Sequence, residues 1–237
     1  MERQPARGRD EAGARTAAAA YTAPVLAFYD LSVLGVVSPL VWRCPRSAMD
    51  ALYGLHVSGR HIDVGPGTGT FLDRCAFPVA DPRLALVDLN PTVLRTAGDR
   101  LRRYRPTRHL CDVLAPFELT GPEGADGRAD PGRERFASAS LNFVLHCLPG
   151  TMAEKATVFD HLLPHLESGA RVFGSTVLDR GVRHTPFSRA HMELLNRRRI
   201  FHNRGDSLDG LRGELDRRFS GVDVSVRGTV ALFAATV

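Results

Sequence analysis

One short stretch limits the fold of this chain more than any other: residues 61–75, HIDVGPGTGTFLDRC, in which glycines alternate with other residues directly after an apolar run. Glycine tolerates backbone conformations that other residues avoid, so Gly65, Gly67 and Gly69 predict a tight turn from a buried strand into a helix. Such a turn is typical of nucleotide-binding α/β proteins. Two ligands fit at this stage: a dinucleotide, whose pyrophosphate the glycines would approach, or a nucleoside with a charged amino-acid tail, which would also need Asp63.

Strand and helix patterns alternate through the rest of the chain. Short runs rich in branched apolar residues predict parallel strands at residues 61–65, 83–89, 108–114, 136–146 and 170–178. The end of the chain differs, because residues 222–228 and 229–237 are predicted to pair as an antiparallel hairpin that turns near Gly228. We therefore predict an α/β fold, a doubly wound, mostly parallel seven-stranded sheet with a reversed terminal β-hairpin.

Two helix starts support this alternation. Asn90 is suited to the N-cap position and Pro91 to the first turn of a helix. Thr151 and Glu154 have the spacing of a capping box. Each pair follows a predicted strand, as a crossover helix should. Ligands of such sheets bind beyond the carboxyl ends of the strands, where the strand order reverses, and the glycine-rich turn lies at such an end.

The charge balance says little about partners. The chain of 237 residues has 31 basic and 26 acidic residues and a net charge of +5. Lys155 is its only lysine, so the basic charge comes almost entirely from arginines, which are scattered apart from the Arg197–Arg199 cluster. A basic protein can bind nucleic acid, but a scattered charge does not indicate it.

The cysteines and the amino-terminal segment indicate a reduced, cytoplasmic protein. Cys44, Cys75, Cys111 and Cys147 are far apart and form no CxxC pair, so neither a zinc knuckle nor a redox pair is predicted. The amino-terminal region has arginines but no apolar segment of the kind found in signal peptides. Since no run approaches the roughly 18 apolar residues of a membrane span, we expect a cytoplasmic location.

The spacing of the glycines argues against a dinucleotide. The dinucleotide fingerprint is GxGxxG, but the third glycine of this chain comes one residue early, at Gly69, and Thr70 stands at the expected position. Asp63 lies two residues before the first glycine. A carboxylate there would repel a nearby phosphate and would pair with an ammonium group. The sequence therefore favours the ligand with a charged amino-acid tail.

At this point a family resemblance is plain. IDVGPGTGTF, residues 62–71, resembles the first motif of the class I S-adenosylmethionine-dependent methyltransferases, and the resemblance continues at the right intervals through residues 61–178, about half of the chain. FASASLNFVLHCL, residues 136–148, is similar to the fourth-strand segment of this family, commonly FDLVVSNAVLHHL. Ala137 departs from this pattern, because the family usually has Asp there. In this family the cofactor contacts the end of the segment where Asn142 stands. Ala137 lies at the other end.

The resemblance implies S-adenosyl-L-methionine as cofactor, S-adenosyl-L-homocysteine as product, and a set of residues that bind them. Asp88 matches the acid that accepts hydrogen bonds from both ribose hydroxyls, and Asp112 with Val113 matches the pair at the adenine. No acid pair suggests a metal ion. The cofactor-binding residues implied are Asp63, Gly65, Pro66, Gly67, Thr68, Gly69, Asp88, Leu89, Asn90, Asp112, Val113 and Asn142.

The composition of the chain and the resemblance together predict a domain division. Residues 1–20, rich in Ala, Arg and Gly, are predicted to be a mobile tail, and residues 21–237 a single methyltransferase domain. Within it, residues 21–58 form an N-terminal helical cap, in which prolines and a glycine prevent one long helix. Residues 179–205 are an inserted segment on the acceptor side.

Methyl transfer from a sulfonium mainly requires that the acceptor be held in line and that water be excluded. An acceptor that must lose a proton also needs a base. His146 is the first candidate, since it leaves the fourth strand beside the expected methyl position. His184, His191 and His202, in the inserted segment, are further candidates. Phe28, Tyr29 and Trp42 give the cap aromatic side chains, which favour a small apolar or aromatic acceptor, such as a specialised metabolite.

Three other functions remain open from the sequence. A nicotinamide-dependent oxidoreductase shares the glycine-rich turn, a non-catalytic binding module shares the fold, and an RNA methyltransferase would suit the basic charge. The fourth strand has LNFV where amino-directed DNA methyltransferases have a (D/N)PPY-type segment. We expect a small-molecule acceptor, no nucleic-acid partner and no membrane. A homodimer remains open, because the cap is apolar enough for an interface.

Overall fold

The computed structural model describes residues 37–119 and 135–237. The predicted tail and residues 21–36 of the cap lie outside the described residues. So does the segment GPEGADGRADPGRE, residues 121–134, whose polar composition predicts a surface loop. The helices are α1 (Ser38–Leu40), α2 (Arg46–His56), α3 (Thr70–Arg74), α4 (Pro91–Arg100), α5 (Met152–Lys155), α6 (Thr157–Leu162), α7 (Pro186–Arg197) and α8 (Leu208–Asp216). The strands are β1 (Arg60–Val64), β2 (Arg83–Asp88), β3 (Thr107–Leu110), β4 (Phe136–Asn142), β5 (Leu166–Val177), β6 (Ser220–Arg227) and β7 (Val230–Thr236).

The seven strands form one sheet in the order β3-β2-β1-β4-β5-β7-β6. Strands β1 to β5 pair in parallel, and β7 pairs antiparallel with both β5 and β6. Gly228, at a φ of 61°, turns the terminal hairpin. The predicted doubly wound sheet with a reversed hairpin is therefore confirmed. Its strand order reverses between β1 and β4, which places the glycine-rich turn at the switch point of the sheet.

Alternating side chains give the sheet two buried faces. On one face, Leu84 and Leu86 of β2 pack with Leu72 of α3 and Leu94 of α4. On the other face, helices α5, α6 and α8 cover a larger cluster that includes Ile62 and the other apolar residues of β1 and β2. Both faces are thus closed by helices, as a parallel sheet requires. Two buried residues of β1, His61 and Asp63, are polar.

The helix starts read from the sequence are present. The Asn90 side chain accepts a hydrogen bond from the Thr92 amide at 2.8 Å, and Pro91 occupies the first turn of α4. Thr151 and Glu154 form both bonds of the capping box at the start of α5. Strand β3 is shorter than predicted, because the Asp112 carboxylate accepts the Leu114 amide at 2.9 Å and turns the backbone after Leu110.

The part of the predicted cap that is described begins at Val37 and contains α1 and α2. Helix α2 buries Met49 and Tyr53 and packs against α3 and against strands β5 and β7 of the sheet. No helix in the described ranges is long and apolar enough to cross a membrane.

Candidate functional site

The glycine-rich turn has the backbone that its sequence predicts. Gly65, Gly67 and Gly69 have φ values of 64°, 57° and 76°, in the left-handed region. The amide of Gly65 donates to Val87 at 2.8 Å, which ties the turn to β2. A Cβ at Gly65 would lie 2.6 Å from Val144, whereas one at Gly67 would meet no atom within 4 Å. The first glycine therefore permits close packing, and the second faces open space.

A cleft opens beside this turn. Its lining combines backbone of the turn with three aromatic side chains and one amide, and consists of Tyr53, Gly65, Pro66, Gly67, Thr68, Thr70, Phe71, Asn142 and Phe143. None of these residues is basic, so they offer no cation to a pyrophosphate. The Asn142 Oδ1 accepts the Ser175 hydroxyl at 2.9 Å, whereas its Nδ2 is buried without a hydrogen-bond partner in the described structure. A buried donor without a partner is costly and points to a ligand.

Phe143 follows Asn142 with a φ of 56°, which is uncommon for a bulky side chain. Its amide donates to the Ser175 carbonyl at 2.9 Å. Ser175 therefore holds both the Asn142 amide and the backbone of Phe143. Such strain is retained where the surroundings fix it, and it often marks functional sites.

Asp63 lies beneath the cleft, and only 2% of it is exposed. Its Oδ1 accepts the Tyr53 hydroxyl at 3.0 Å and the Ser140 hydroxyl at 2.6 Å. Burial raises the pKa of Asp63 to about 6, although both hydrogen bonds act in the opposite direction. The sequence predicts that this buried acid pairs with a group of the ligand. The structure adds two partners from the protein, Tyr53 and Ser140, which the sequence did not indicate.

Two further acids follow the neighbouring strands. Asp88 ends β2, where its Oδ1 accepts the Asn90 amide at 2.7 Å, and burial raises its pKa to about 7. Asp112 lies in the turn after β3. Because β1, β2 and β3 are parallel, the three acids lie near the carboxyl ends of their strands, at the same edge of the sheet.

The other residues that the sequence predicts to bind the cofactor lie at the same edge of the sheet, and they differ in their exposure and contacts. Leu89 and Asn90 are partly exposed after β2. Val113 is 7% exposed and packs into the larger core cluster. Thr68 is buried and its hydroxyl contacts Arg100 of α4 at 3.0 Å. The structure thus brings most of the predicted cofactor residues to one end of the sheet, but only five of them line the cleft itself.

His146 is 2% exposed in the short 3-10 helix Leu145–Cys147 that follows β4. Its Nδ1 accepts the Val177 amide at 3.2 Å and contacts the Thr176 hydroxyl at 3.3 Å. Its ring packs against Phe201, with the centroids 4.3 Å apart. Burial lowers the pKa of His146 to about 3, so the ring is neutral at physiological pH.

The inserted segment, residues 179–205, contains α7 and packs beside His146. Phe201 stacks on Trp42, which also contacts His191. His184 contacts the Leu178 carbonyl at 3.0 Å, and His202 Nε2 is buried without a hydrogen-bond partner in the described structure. Trp42, Phe201 and Phe143 belong to a second hydrophobic cluster, which joins the described part of the cap to the inserted segment. No group of three metal-ligating side chains occurs within residues 37–119 and 135–237.

No protein-family model matches the chain. Demethylluteothin O-methyltransferase of Streptomyces thioluteus is 37% identical over 217 residues, which cover 92% of this chain and 89% of that protein. The physcion biosynthesis cluster O-methyltransferase of Aspergillus chevalieri is 34% identical over 218 residues, which cover 92% and 93%. The chain belongs to the class I S-adenosylmethionine-dependent methyltransferases.

The fold of this methyltransferase is shared with solved members. It superposes on N-methyltransferase NodS from Bradyrhizobium japonicum WM9, in complex with S-adenosyl-L-homocysteine, with a TM-score of 0.52 at 16% identity, covering 81% of this chain and 85% of that chain. The methyltransferase uses S-adenosylmethionine and transfers its methyl group to a small-molecule acceptor. Family membership removes the nicotinamide-dependent oxidoreductase from the open functions.

The site of this methyltransferase fits its cofactor on the structure alone. The open face at Gly67, the Asn142 Nδ2 and the acids at the strand ends suit a ligand with a cationic tail and a ribose diol. Tyr53 and Ser140 escaped the sequence analysis. A usable signal existed: polar residues alternate with apolar ones in both HIDV and SASL, which places them on one buried face of adjacent strands.

Proposed function

We propose that this methyltransferase methylates a hydroxyl oxygen of a small aromatic or enolic molecule, a specialised metabolite. Two observations support this acceptor. Both sequence relatives described above are O-methyltransferases, one named for demethylluteothin and the other for a physcion biosynthesis cluster. Phe71 and Phe143 line the cleft beside the buried Tyr53, and the apolar surface of these two phenylalanines suits a flat, largely apolar acceptor. The single observation that carries the proposal is this aromatic lining beside the glycine-rich turn.

The proposal assigns the cofactor to the predicted residues. Asp63 receives the ammonium group, Asp88 the two ribose hydroxyls, and Asp112 with Val113 the adenine. Loop residues Gly65 to Gly69, together with Leu89, Asn90 and Asn142, complete the set. Bound S-adenosylmethionine supplies a methyl group on a positively charged sulfur, which a nucleophile attacks directly. The protein holds acceptor and donor in line and keeps water out.

A hydroxyl acceptor must lose its proton during methyl transfer, so the acceptor class depends on whether the site offers a base. His146 was the candidate base, but its Nδ1 lone pair accepts the Val177 amide. In the neutral ring Nε2 then carries the proton, so His146 would have to break the bond to Val177 in order to accept another. This geometry favours an acceptor whose hydroxyl ionises without a strong base, a phenol or an enol. We therefore propose a structural role for His146, as the residue that joins the turn after β4 to β5.

The role of His146 can be tested by two substitutions. His146→Asn keeps an oxygen that can accept the Val177 amide, and His146→Leu removes it. We expect the pH profile of kcat/KM to follow the pKa of the acceptor hydroxyl in both variants. His146→Leu should also lose about 1–3 kcal/mol of unfolding free energy, because it leaves a buried donor unsatisfied. If both variants instead lose about 100-fold or more in kcat while they remain folded, His146 is the base.

The proposed function is tested by labelled methyl transfer from S-adenosylmethionine to a panel of phenols, enols, amines and thiols. We expect label in methyl ethers of phenolic or enolic acceptors, identified by mass spectrometry and NMR. The Asp88→Ala variant, which should bind the cofactor poorly, is the control for enzyme-dependent label. Label found on nitrogen or carbon, or only on added RNA, would contradict the proposal.

We also propose a cytoplasmic location and a homodimer formed through the cap. We propose no nucleic-acid partner, and a domain division at residues 21, 58, 179 and 205. One observation supports the absence of a nucleic-acid partner: Arg197, in the Arg197–Arg199 cluster, pairs with Glu193 at 3.1 Å, so part of that cluster is neutralised within α7.

A further inference from the structure

A continuous chain of polar side chains runs inside the sheet, starting at Asp63. Ser140 Oγ lies 2.6 Å from Asp63 Oδ1 and 2.9 Å from His61 Nε2. The other nitrogen of that ring, Nδ1, lies 2.7 Å from Ser138 Oγ. The register explains the arrangement, because His61 pairs with Ser138 and Asp63 with Ser140 in the parallel β1–β4 ladder. His61, Ser138 and Ser140 are each 0% exposed.

The chain continues to the opposite end of the sheet. Ser138 Oγ lies 2.8 Å from Ser58 Oγ, and the Ser58 hydroxyl donates to the Arg60 carbonyl at 2.6 Å. Ser58 is half-buried, in the loop that precedes β1. The chain thus connects the carboxyl group beneath the cleft to the far edge of β1, and we refer to Asp63, Ser140, His61, Ser138 and Ser58 as the relay.

Counting protons shows that the relay has a preferred state. It contains five contacts between Asp63 and the Arg60 carbonyl, and each contact needs one hydrogen. Three serine hydroxyls and a neutral imidazole supply four. The ionised carboxylate at one end and the carbonyl at the other can only accept. With Asp63 ionised and His61 neutral, one contact therefore lacks a hydrogen.

One added proton completes the relay. If Asp63 is protonated, it donates to Ser140, Ser140 donates to His61 Nε2, and the His61 Nδ1 proton goes to Ser138. Ser138 then donates to Ser58, which donates to the Arg60 carbonyl. All contacts are satisfied in one direction, and no charge is buried, which is the less costly arrangement.

The groups around Asp63 support this protonated state. It faces the Tyr53 hydroxyl from α2, the Ser140 hydroxyl from β4, the Cys75 thiol from the end of α3 and the Asp88 carboxyl from β2. None of these four groups is a cation. Burial raises the pKa of Asp63 to about 6.

His61 packs between the rings of Tyr53 and Phe173, at centroid distances of 6.0 and 5.6 Å. Burial lowers the pKa of His61 to about 3, so between these two groups the proton belongs on Asp63.

We infer that in mildly acidic solution the relay holds a proton on Asp63 in the cofactor-free protein and that binding of the cofactor ammonium expels it. This inference rests on the proposed placement of the ammonium at Asp63. The O–H bond of Asp63 breaks, its proton passes to solvent, and the carboxylate pairs with the incoming cation. Ser140 then turns its hydroxyl from His61 to Asp63, and the His61 proton moves from Nδ1 to Nε2. Ser140, His61 and Ser138 are thus positioning residues for Asp63.

Calorimetry of S-adenosylhomocysteine binding counts the expelled protons. The full chain is titrated between pH 5.5 and 8 in two buffers that differ in ionisation heat. Ser138→Ala interrupts the relay at a residue three contacts away from Asp63. Ser38→Ala is the matched control, because Ser38 is equally buried and donates to the Cys44 carbonyl at 2.7 Å, outside the relay.

We expect Ser138→Ala to lower the pKa of Asp63 by about one unit, the effect of one buried hydrogen bond. At pH 5.5 this variant should release about half a proton fewer per bound ligand than the unchanged protein and Ser38→Ala. At pH 8 all three should bind equally. Protons from Asp88 contribute the same to each protein and cancel in the difference.

NMR of the unchanged protein gives a second measurement, which does not depend on a folded variant. The ¹⁵N shifts of His61 should show the Nδ1–H form in the free protein at pH 5.5 and the Nε2–H form after S-adenosylhomocysteine binds. Equal proton counts in Ser138→Ala and Ser38→Ala, or one unchanged tautomer of His61, would overturn the inference and leave the cofactor site intact. Failure of the unchanged protein to bind at pH 8 would overturn the proposed site, and the inference with it.

Discussion

Asp88→Ala should weaken binding of S-adenosylhomocysteine at least about 100-fold at pH 8. The proposed ribose contact consists of two hydrogen bonds to one carboxylate, and each hydrogen bond to a charged group contributes about 1.5–3 kcal/mol. The structure places this acid at the carboxyl end of β2, with Oδ1 held by the Asn90 amide at 2.7 Å. The carboxylate is therefore oriented before the ligand arrives, and its loss should be expressed almost entirely in the dissociation constant.

The choice of pH follows from the surroundings of Asp88. Burial raises its pKa to about 7, and the Asp63 charge acts in the same direction. The carboxylate form of Asp88, which accepts both ribose hydroxyls, therefore predominates above this pKa and is lost as the pH falls through it. We expect the affinity of the unchanged protein to decline below about pH 7 for this reason.

Two further variants separate binding from folding. Asp88→Asn keeps an oxygen for the Asn90 amide and removes the charge, so it should lose about tenfold. Asp81→Ala removes an acid that is 73% exposed and pairs with Arg105 at 3.4 Å, so it should bind normally. A loss of less than about fivefold in a folded Asp88→Ala protein would show that the ribose lies elsewhere.

The sequence predicts the parts of this site that short-range rules control. Gly65, Gly67 and Gly69 specify their turn through backbone conformations that few other residues adopt. Asn90 and Thr151 specify helix starts through their own side chains. The alternation of strands and helices then determines the sheet, and with it the edge at which Asp63 and the other acids meet. These features need no knowledge of distant contacts.

The relay required the tertiary structure. His61 and Ser138 are 77 residues apart in sequence, and only the β1–β4 register brings them to 2.7 Å. The surroundings of His146 depend in the same way on Val177, 31 residues away. A histidine at the end of a strand can serve as a base or as a structural link. The partner of Nδ1 distinguishes these roles, and no local pattern in the sequence reveals it.

Lys155→Met should lower the unfolding free energy by about 3–5 kcal/mol, the cost of leaving a buried charge without its partner. Lys155, the only lysine of the chain, is fully buried, and its Nζ donates to Asp206 Oδ2 at 2.6 Å and to the His202 carbonyl at 2.8 Å. The compact ammonium serves two acceptors in a confined space, for which the wider guanidinium of arginine is poorly suited. This ion pair fastens α5 to the loop that follows α7.

A double-mutant cycle distinguishes the broken pair from a general loss of packing. Asp206→Leu alone should be as damaging as Lys155→Met, because it strands the ammonium. The backbone amide of Asp206 is bonded separately, to the Asn203 carbonyl at 3.0 Å, so the side chain can be exchanged without removing that bond. In Lys155→Met/Asp206→Leu no charge is stranded, and the double variant should be more stable than either single one.

An exposed ion pair is the reference for the buried one. Arg204 and Glu193 have side chains that are 58% and 39% exposed, so Arg204→Met should change the unfolding free energy by less than about 1 kcal/mol in urea titrations. The buried pair differs because water cannot replace the lost partner. The buried pair also holds the loop whose His202 amide donates to the His146 carbonyl at 2.7 Å. Lys155→Met should therefore weaken the packing of Phe201 against the His146 ring. Additive losses in the double-mutant cycle would show instead that Lys155 and Asp206 stabilise the fold independently, through packing.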